Sequence, residues 1–243
     1  MKFSAIRSHK LNLAVLALLA VLFPFSVCGQ ESTNDEGFEK IFDGKSLEGW
    51  SGDESIWSVK DGVIVGKTTK DKPLKQNTFL IFKGDPIEDF ELRLKFKATG
   101  NRANSGIQFR SKDMGKFVVG GYQADIDITG RFIGILYEER GRGILAQRGE
   151  KVERTEEGKK KKLGKTLDEE EFKSKVDLEG WNEYVVIAKG NHIIQKINGL
   201  TTVDFTDNES KKASSKGILA LQCHVGPPMS IEFKDIQLKR IEK

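Results

Sequence analysis

The chain has 243 residues, of which 40 are Lys or Arg and 36 are Asp or Glu, for a formal net charge of +4 at pH 7. That length suits one large all-β domain as well as two smaller ones. Three of the basic residues fall in the first 29, leaving 37 against 36 acidic beyond them, a near-balance that argues against a nucleic-acid binder, which normally shows a strongly basic face.

Lys2, Arg7 and Lys10 open the chain without an acidic neighbour, and residues 11–25 are apolar apart from Asn12 and Pro24. Val27-Cys28-Gly29 follows with small or modest residues. This is the layout of a secretory signal peptide over residues 1–29, and its apolar run is short for a membrane span. The expectation is an exported protein of the periplasm or cell envelope with no span in the mature chain. Cys28 keeps a lipoprotein form open, although Val27 is bulky for the position before a lipidated Cys. With cleavage after Gly29, Cys223 is the one thiol left, so the fold must rest on its core rather than on a disulfide.

Residues 30–37 are polar and read as a disordered leader, and over 38–243 the apolar period is two, which predicts a β-sandwich domain. Phe90, Leu92, Leu94, Phe96 and Ala98 alternate with Glu91, Arg93, Lys95 and Lys97. Ile107 and Phe109 alternate with Gln108 and Arg110, and Tyr122, Ala124, Ile126 and Ile128 with Gln123, Asp125 and Asp127. Residues 150–175, with lysines at 159–162 and glutamates at 169–171, read as a charged, solvated insertion. Within it, Asp168 is placed to cap a short helix over 167–176, with Phe172 as its apolar contact. Residues 184–188 and 193–197 form strands joined at Lys189-Gly190-Asn191, and Asn198-Gly199 marks the next tight turn. Leu219, Leu221, Cys223 and Val225 share one face of a late strand, with Gln222 and His224 on the other. In the last strand the apolar phase slips from Met229, Ile231 and Phe233 to Ile236 and Leu238, predicting a bulge near Lys234-Asp235. Many short strands with Gly-rich turns predict a sandwich or a barrel.

Familiar catalytic signatures are missing: there is no Gly-x-Ser-x-Gly, no His-Glu-x-x-His and no phosphate-binding glycine loop. The pattern offers instead three polar rows: Gln108 with Arg110, Gln123 with Asp125 and Asp127, and Gln222 with His224. If their strands are neighbours, the rows line one concave surface. Its amide, carboxylate and guanidinium groups suit sugar hydroxyls, because each can hold two adjacent oxygens in fixed geometry. The same alternation also describes an ordinary wet outer face of a sheet. The segment Leu136-Tyr137-Glu138-Glu139-Arg140-Gly141-Arg142-Gly143 reads either as a loop that approaches an anionic oxygen or as an Arg–Glu surface cluster of little worth to stability. His224 is a candidate general base or metal ligand, although packing near Met229 and Phe233 explains it equally well. Trp50, Trp57 and Trp181 stand among apolar neighbours and read as core rather than as sugar platforms.

An ordered series of motifs runs through these elements. It comprises Phe42-Asp43-Gly44-Lys45-Ser46-Leu47-Glu48-Gly49-Trp50, Trp57-Ser58-Val59-Lys60-Asp61-Gly62, Asn104-Ser105-Gly106-Ile107-Gln108-Phe109-Arg110 and Gly121-Tyr122-Gln123-Ala124-Asp125. Trp181-Asn182-Glu183-Tyr184, Asn198-Gly199 and Gly217-Ile218-Leu219-Ala220-Leu221-Gln222-Cys223-His224 complete it. Together, over about residues 38–241, they resemble the 3-keto-disaccharide hydrolase domain family. The resemblance implies a concanavalin-like jelly-roll β-sandwich and a lyase or hydrolase whose partner is a glycoside oxidised at carbon 3, or another carbohydrate. A ketone at carbon 3 acidifies the hydrogen at carbon 2. Its removal gives an enediolate that expels the aglycone from carbon 1, and water adds afterwards. Such chemistry needs a base and an electrophile for the oxyanion, not the paired acids of ordinary glycosidases.

On that implication His224 or Asp125 is the base, and Arg110 and Arg142 hold the oxyanion. Gln123 and Gln222 orient hydroxyls, with Gln108, Asn104, Tyr137 and Glu138 completing the substrate site. A divalent metal is the alternative electrophile, with Asp125, Asp127 and His224 as its ligands. The family pattern carries Glu and Gln where this chain has Gln123 and Asp125. That departure leaves open a noncatalytic carbohydrate-binding module of the cell envelope.

Overall fold

Alternating strands each present one apolar row, and such rows are buried most simply by laying two sheets face to face. A computed structural model describes Met1 and residues 36–242, so the expected signal peptide and most of the leader lie outside the described residues. In chain order the first strands are β1 (Glu39–Lys40), β2 (Trp50–Ser51), β3 (Trp57–Lys60), β4 (Val63–Lys67), β5 (Thr78–Phe82) and β6 (Phe90–Gly100). The middle of the chain supplies β7 (Asn104–Asp113), β8 (Val119–Asp127), β9 (Leu136–Glu139), β10 (Gly143–Ala146), β11 (Glu150–Arg154), β12 (Lys160–Lys165) and the helix α1 (Glu169–Lys175). The last strands are β13 (Asn182–Lys189), β14 (His192–Ile197), β15 (Leu200–Asp207), β16 (Ile218–Cys223) and β17 (Met229–Arg240).

Ten strands form one sheet, ordered β12-β11-β15-β14-β13-β6-β17-β4-β3 with β1 paired to β17, and seven form the other, ordered β10-β9-β8-β7-β16-β5-β2. The inward rows meet as one core. Phe90 of the large sheet packs edge-on against Phe109 of the small one, with ring centroids 5.9 Å apart, and Phe109 stacks on Tyr122 at 5.7 Å. Each such side chain, fully buried, contributes roughly 1.5–3 kcal/mol. Trp50 and Trp57 belong to this core, while Trp181 is half-buried beneath the Lys234 ammonium. The result is an all-β jelly-roll sandwich.

Local chemistry sets the element ends where the sequence predicts them. Asn198 and Gly199 both take positive φ, 47° and 80°, the geometry of a two-residue hairpin turn between β14 and β15. The Asp168 carboxylate accepts from the backbone N–H groups of Glu170 and Glu171, capping α1, and Phe172 anchors that helix in the core. In β17 the pairing to β6 shifts between Lys234 and Gln237, with Asp235 at φ 53°, so the phase slip is a bulge. Burial pushes the Cys223 thiol up to about 12, which makes it inert packing.

The charged stretch 150–175 is more integrated than a solvated insertion. β11 pairs in parallel with β15, β12 adds the outermost strand, and Val152 and Phe172 reach the core. The charges spread over the outer side of these elements, so composition alone hides their apolar anchors. No helix among the described residues is long and apolar enough to cross a membrane.

Candidate functional site

The site lies on the face of the small sheet turned away from the core. β7, β8 and β16 are neighbours there, and their registers set Gln108 opposite both Gln123 and Ala220. A Cβ at position 106 would stand 2.5 Å from the Gln123 side chain, so the glycine of the Asn-Ser-Gly motif makes room for that glutamine. This face is not an ordinary wet one. Gln108 and Gln222 are fully buried, and Gln123 and Asp125 are 2% and 7% exposed. Phe79, Ile81, Val119 and Ala220 form a small apolar cluster beside them.

Buried amides are normally paired, and these pair with one another except at Gln222 Oε1, which has no partner among the described residues. The Ser111 hydroxyl donates to Gln108 Oε1 at 2.6 Å, and Gln108 Nε2 donates to Gln123 Oε1 at 2.7 Å. Gln222 Nε2 donates to the same Gln123 oxygen at 3.0 Å, and Gln123 Nε2 donates onward to Asp125 Oδ1. The ladder thus delivers a hydrogen-bond donor to one carboxylate. Burial is the largest influence on Asp125 and pushes its carboxyl up to about 8; Asp127 and Glu139 add to the rise, while the Gln123 donor opposes it. A carboxyl poised there takes and returns protons near neutral pH.

Above this floor opens a cleft of about 670 Å³, lined by Asn77, Asn104, Gln123, Asp125, Tyr137 and His224 among others. That volume lies within the usual range for small-molecule sites. Tyr137 pairs in register with Gln123, so both side chains leave the same face. Its hydroxyl makes no hydrogen bond among the described residues, and burial beside Glu139 and Asp125 raises its pKa, which keeps it a donor. His224 Nδ1 lies against its neighbour's carbonyl, Val225 O, so that nitrogen carries the proton and Nε2 is left for a ligand.

Gln108 and Gln222, expected to meet substrate, lie beneath the cleft and do not line it, and three of the expected site residues lie elsewhere. The pairing of β7 slips between Phe109 and Lys112, and Arg110 takes φ 47°. This bulge carries Arg110 off the row of Gln108 and into the seam between the sheets. There it donates to Glu88 O and Gly190 O, both at 2.7 Å, and pairs with Asp89 at 2.9 Å. Arg142 is likewise buried, held by Glu138 at 2.7 Å, Asp207 at 2.7 Å and Glu209 at 3.1 Å. Glu138 pairs in register with the core residue Tyr122, so it faces inward, opposite to Tyr137 and Glu139. Glu138 and Arg142 of the Gly-rich segment are therefore neither oxyanion ligands nor part of a surface cluster but belong to a buried ionic knot, while Tyr137 and Glu139 of the same segment face the cleft.

The metal donors proposed from the sequence do not fit an ion. The Asp127 carboxylate already accepts from Thr129 N at 2.9 Å, the Thr129 hydroxyl at 2.6 Å and Phe132 N at 2.8 Å. Asp125 accepts from Gln123, and among the described residues no three His, Cys, Asp or Glu side chains group as a metal site. Residues not singled out from the sequence also line the cleft, notably Asn77 and Glu139, which bond at 3.3 Å, and Arg102 and Arg131 at its rim. Alternation along β9 could have found Glu139 beside Tyr137. Nothing local marks Asn77, which arrives from a distant loop.

A model of the 3-keto-alpha-glucoside-1,2-lyase-like domain matches residues 37–239. The chain belongs to this family. Membership ties this lyase-like domain to carbohydrate. No curated protein matches the sequence. Among solved structures, a candidate glycosyl hydrolase from Parabacteroides distasonis ATCC 8503 is similar at 20% identity and TM-score 0.58, over 84% of this chain and 99% of that one. The carbohydrate-binding module CBM66 from Bacillus subtilis is similar at 13% identity and TM-score 0.53, over 79% and 95%. A non-specific endo-β-1,3(4)-glucanase of family GH16 is similar at 11% identity and TM-score 0.54, over 85% and 92%. At these identities the likeness is one of fold, and the lyase-like domain shares its sandwich with both enzymes and binding modules.

Proposed function

We propose that this chain is an exported lyase of 3-keto-glycosides in which Asp125 removes the proton from carbon 2. The observation that carries the reading is a buried carboxyl, lifted to about 8, on the floor of a polar cleft of sugar size, beside an Asp127 whose oxygens are taken up by donors of its own loop. The Asp125 carboxylate takes the carbon-2 proton, and the electron pair moves onto the carbon-3 oxygen, where the Tyr137 hydroxyl donates. Collapse restores the ketone, forms the double bond between carbons 1 and 2 and breaks the bond to the aglycone oxygen. That oxygen takes the proton Asp125 has just received, so one carboxyl completes the cycle. Water then adds across the double bond. Asn104 and His224 Nε2 hold the sugar hydroxyls from the cleft wall, and Gln123 fixes the orientation of the base.

The test is to incubate the purified protein with a 3-keto-glycoside and follow aglycone release. Asp125→Asn should abolish release while leaving the circular dichroism spectrum unchanged. Tight binding of the keto-glycoside by the wild type with no release at any pH would overturn the lyase and leave a carbohydrate-binding module.

A further inference from the structure

Of the arginines among the described residues, six form ion pairs: Arg93, Arg110, Arg142, Arg148, Arg154 and Arg240. Arg140 donates to Gln76. Arg102 and Arg131 are the two whose guanidinium groups have no acid or hydrogen-bond acceptor among the described residues, and both line the cleft. Their placement together follows from the topology. Arg102 sits in the turn between β6 and β7, at φ 59°, and Arg131 in the loop after β8. The two segments are tied by a backbone hydrogen bond from Ile128 N to Ala103 O at 3.2 Å, and the register sets Asn104 opposite Asp127.

The nearby acids do not quench this pair. Asp127 is enclosed by the Thr129 and Phe132 donors of its own loop, and Glu139 bonds Asn77. Arg131 is steadied over the Phe132 ring, with its guanidinium carbon 4.7 Å from the centroid. Two planar donors without acceptors, at one end of a cleft, match an oxyanion bonded to both.

We infer that the Arg102–Arg131 end of the cleft binds an anionic substituent of the sugar, a carboxylate or a sulfate ester, so that the substrate class is acidic glycosides. This rests on the cleft being the sugar site and adds which sugars it selects.

The experiment is calorimetric titration of the full chain with methyl glucoside, methyl glucuronide and methyl glucoside 6-sulfate, in low salt and in high salt. At least one anionic ligand should bind about tenfold more tightly than the neutral one, as expected for charge-assisted bonds partly exposed to solvent, and salt should erode that margin. The stronger of the two anionic ligands identifies carboxylate or sulfate. Arg102→Gln and Arg131→Gln should each reduce the margin, and the double variant should remove it, with neutral-sugar affinity unchanged. Equal binding of all three sugars, or a margin that survives the double variant, overturns the inference while leaving the sugar site intact. Binding of none of them overturns the inference alone, because these sugars lack the carbon-3 ketone and the lyase reading is tested by aglycone release.

Discussion

Gln123 donates its side-chain amide to Asp125 while its carbonyl oxygen accepts from both Gln108 and Gln222. The glutamine cannot flip without turning its oxygen toward the carboxylate and its nitrogen toward two donors. Its orientation is therefore fixed, and with it the side of Asp125 left for substrate. Gln123→Leu should leave two buried amide donors unpaired, at about 1–3 kcal/mol each, lowering Tm by several degrees or more. Because the lost donor favoured the ionised carboxyl, the rise of kcat/KM with pH should move to more alkaline values. A Tm loss without movement of the profile would separate the glutamine from the base.

The raised pKa of Asp125 makes a signed prediction about stability. The folded carboxyl binds its proton up to about 8, whereas an unfolded Asp releases it near its ordinary value. Its favourable contribution is complete below that ordinary value and is lost as pH rises through about 8. Asp125→Asn has no such loss. The Tm of the variant relative to wild type should climb between pH 5 and pH 9, as read by thermal denaturation. A constant difference would mean that Asp125 is ionised in the fold throughout.

For catalysis the same residue sets the opposite trend. Aglycone release should increase with pH and level off above about 8, as the carboxylate form accumulates. Tyr137→Phe should lower kcat by about 10²–10³-fold with little change in KM, since its donor is used at the developing oxyanion. Equal losses in binding and turnover would make Tyr137 a ground-state contact instead.

Arg142, in the turn between β9 and β10, ties Glu138 of β9 to Asp207 of β15 and to Glu209, with the Tyr122 hydroxyl bonded to Asp207 behind it. Removing the guanidinium leaves buried carboxylates uncompensated. Arg142→Met should therefore cost about 3–5 kcal/mol, seen as a lower denaturation midpoint. At a temperature where the variant is folded, sugar affinity should match wild type. A selective loss of affinity with unchanged stability would return Arg142 to the ligand.

The strands, the α1 cap, the Asn198-Gly199 turn and the late bulge are legible in the sequence because each follows from alternation or from a local backbone preference. Gln123, Asp125 and Tyr137 are equally visible, since β8 and β9 alternate without a break. The position of Arg110 is not. The bulge that diverts it sits where Gln108, Phe109 and Arg110 still read as regular alternation, and the partners Glu88, Asp89 and Gly190 come from far along the chain. Arg142 is hidden for a similar reason: its acids on β15 and beyond are about 65 residues away, and short-range pattern shows only Glu138. What the sequence cannot express is which side of a sheet becomes a hollow. That depends on how the glutamine rows stack after the strands have paired.

The outermost strand of the large sheet, β12, is Lys at four of its six positions, and most of it is exposed. A free strand border offers unpaired N–H and C=O groups to any passing chain, and a second copy of this border would bring lysine against lysine. The mutual repulsion acts as a guard against edge-to-edge stacking, so concentrated protein should remain dispersed in dilute buffer and begin to self-associate as salt screens the charge.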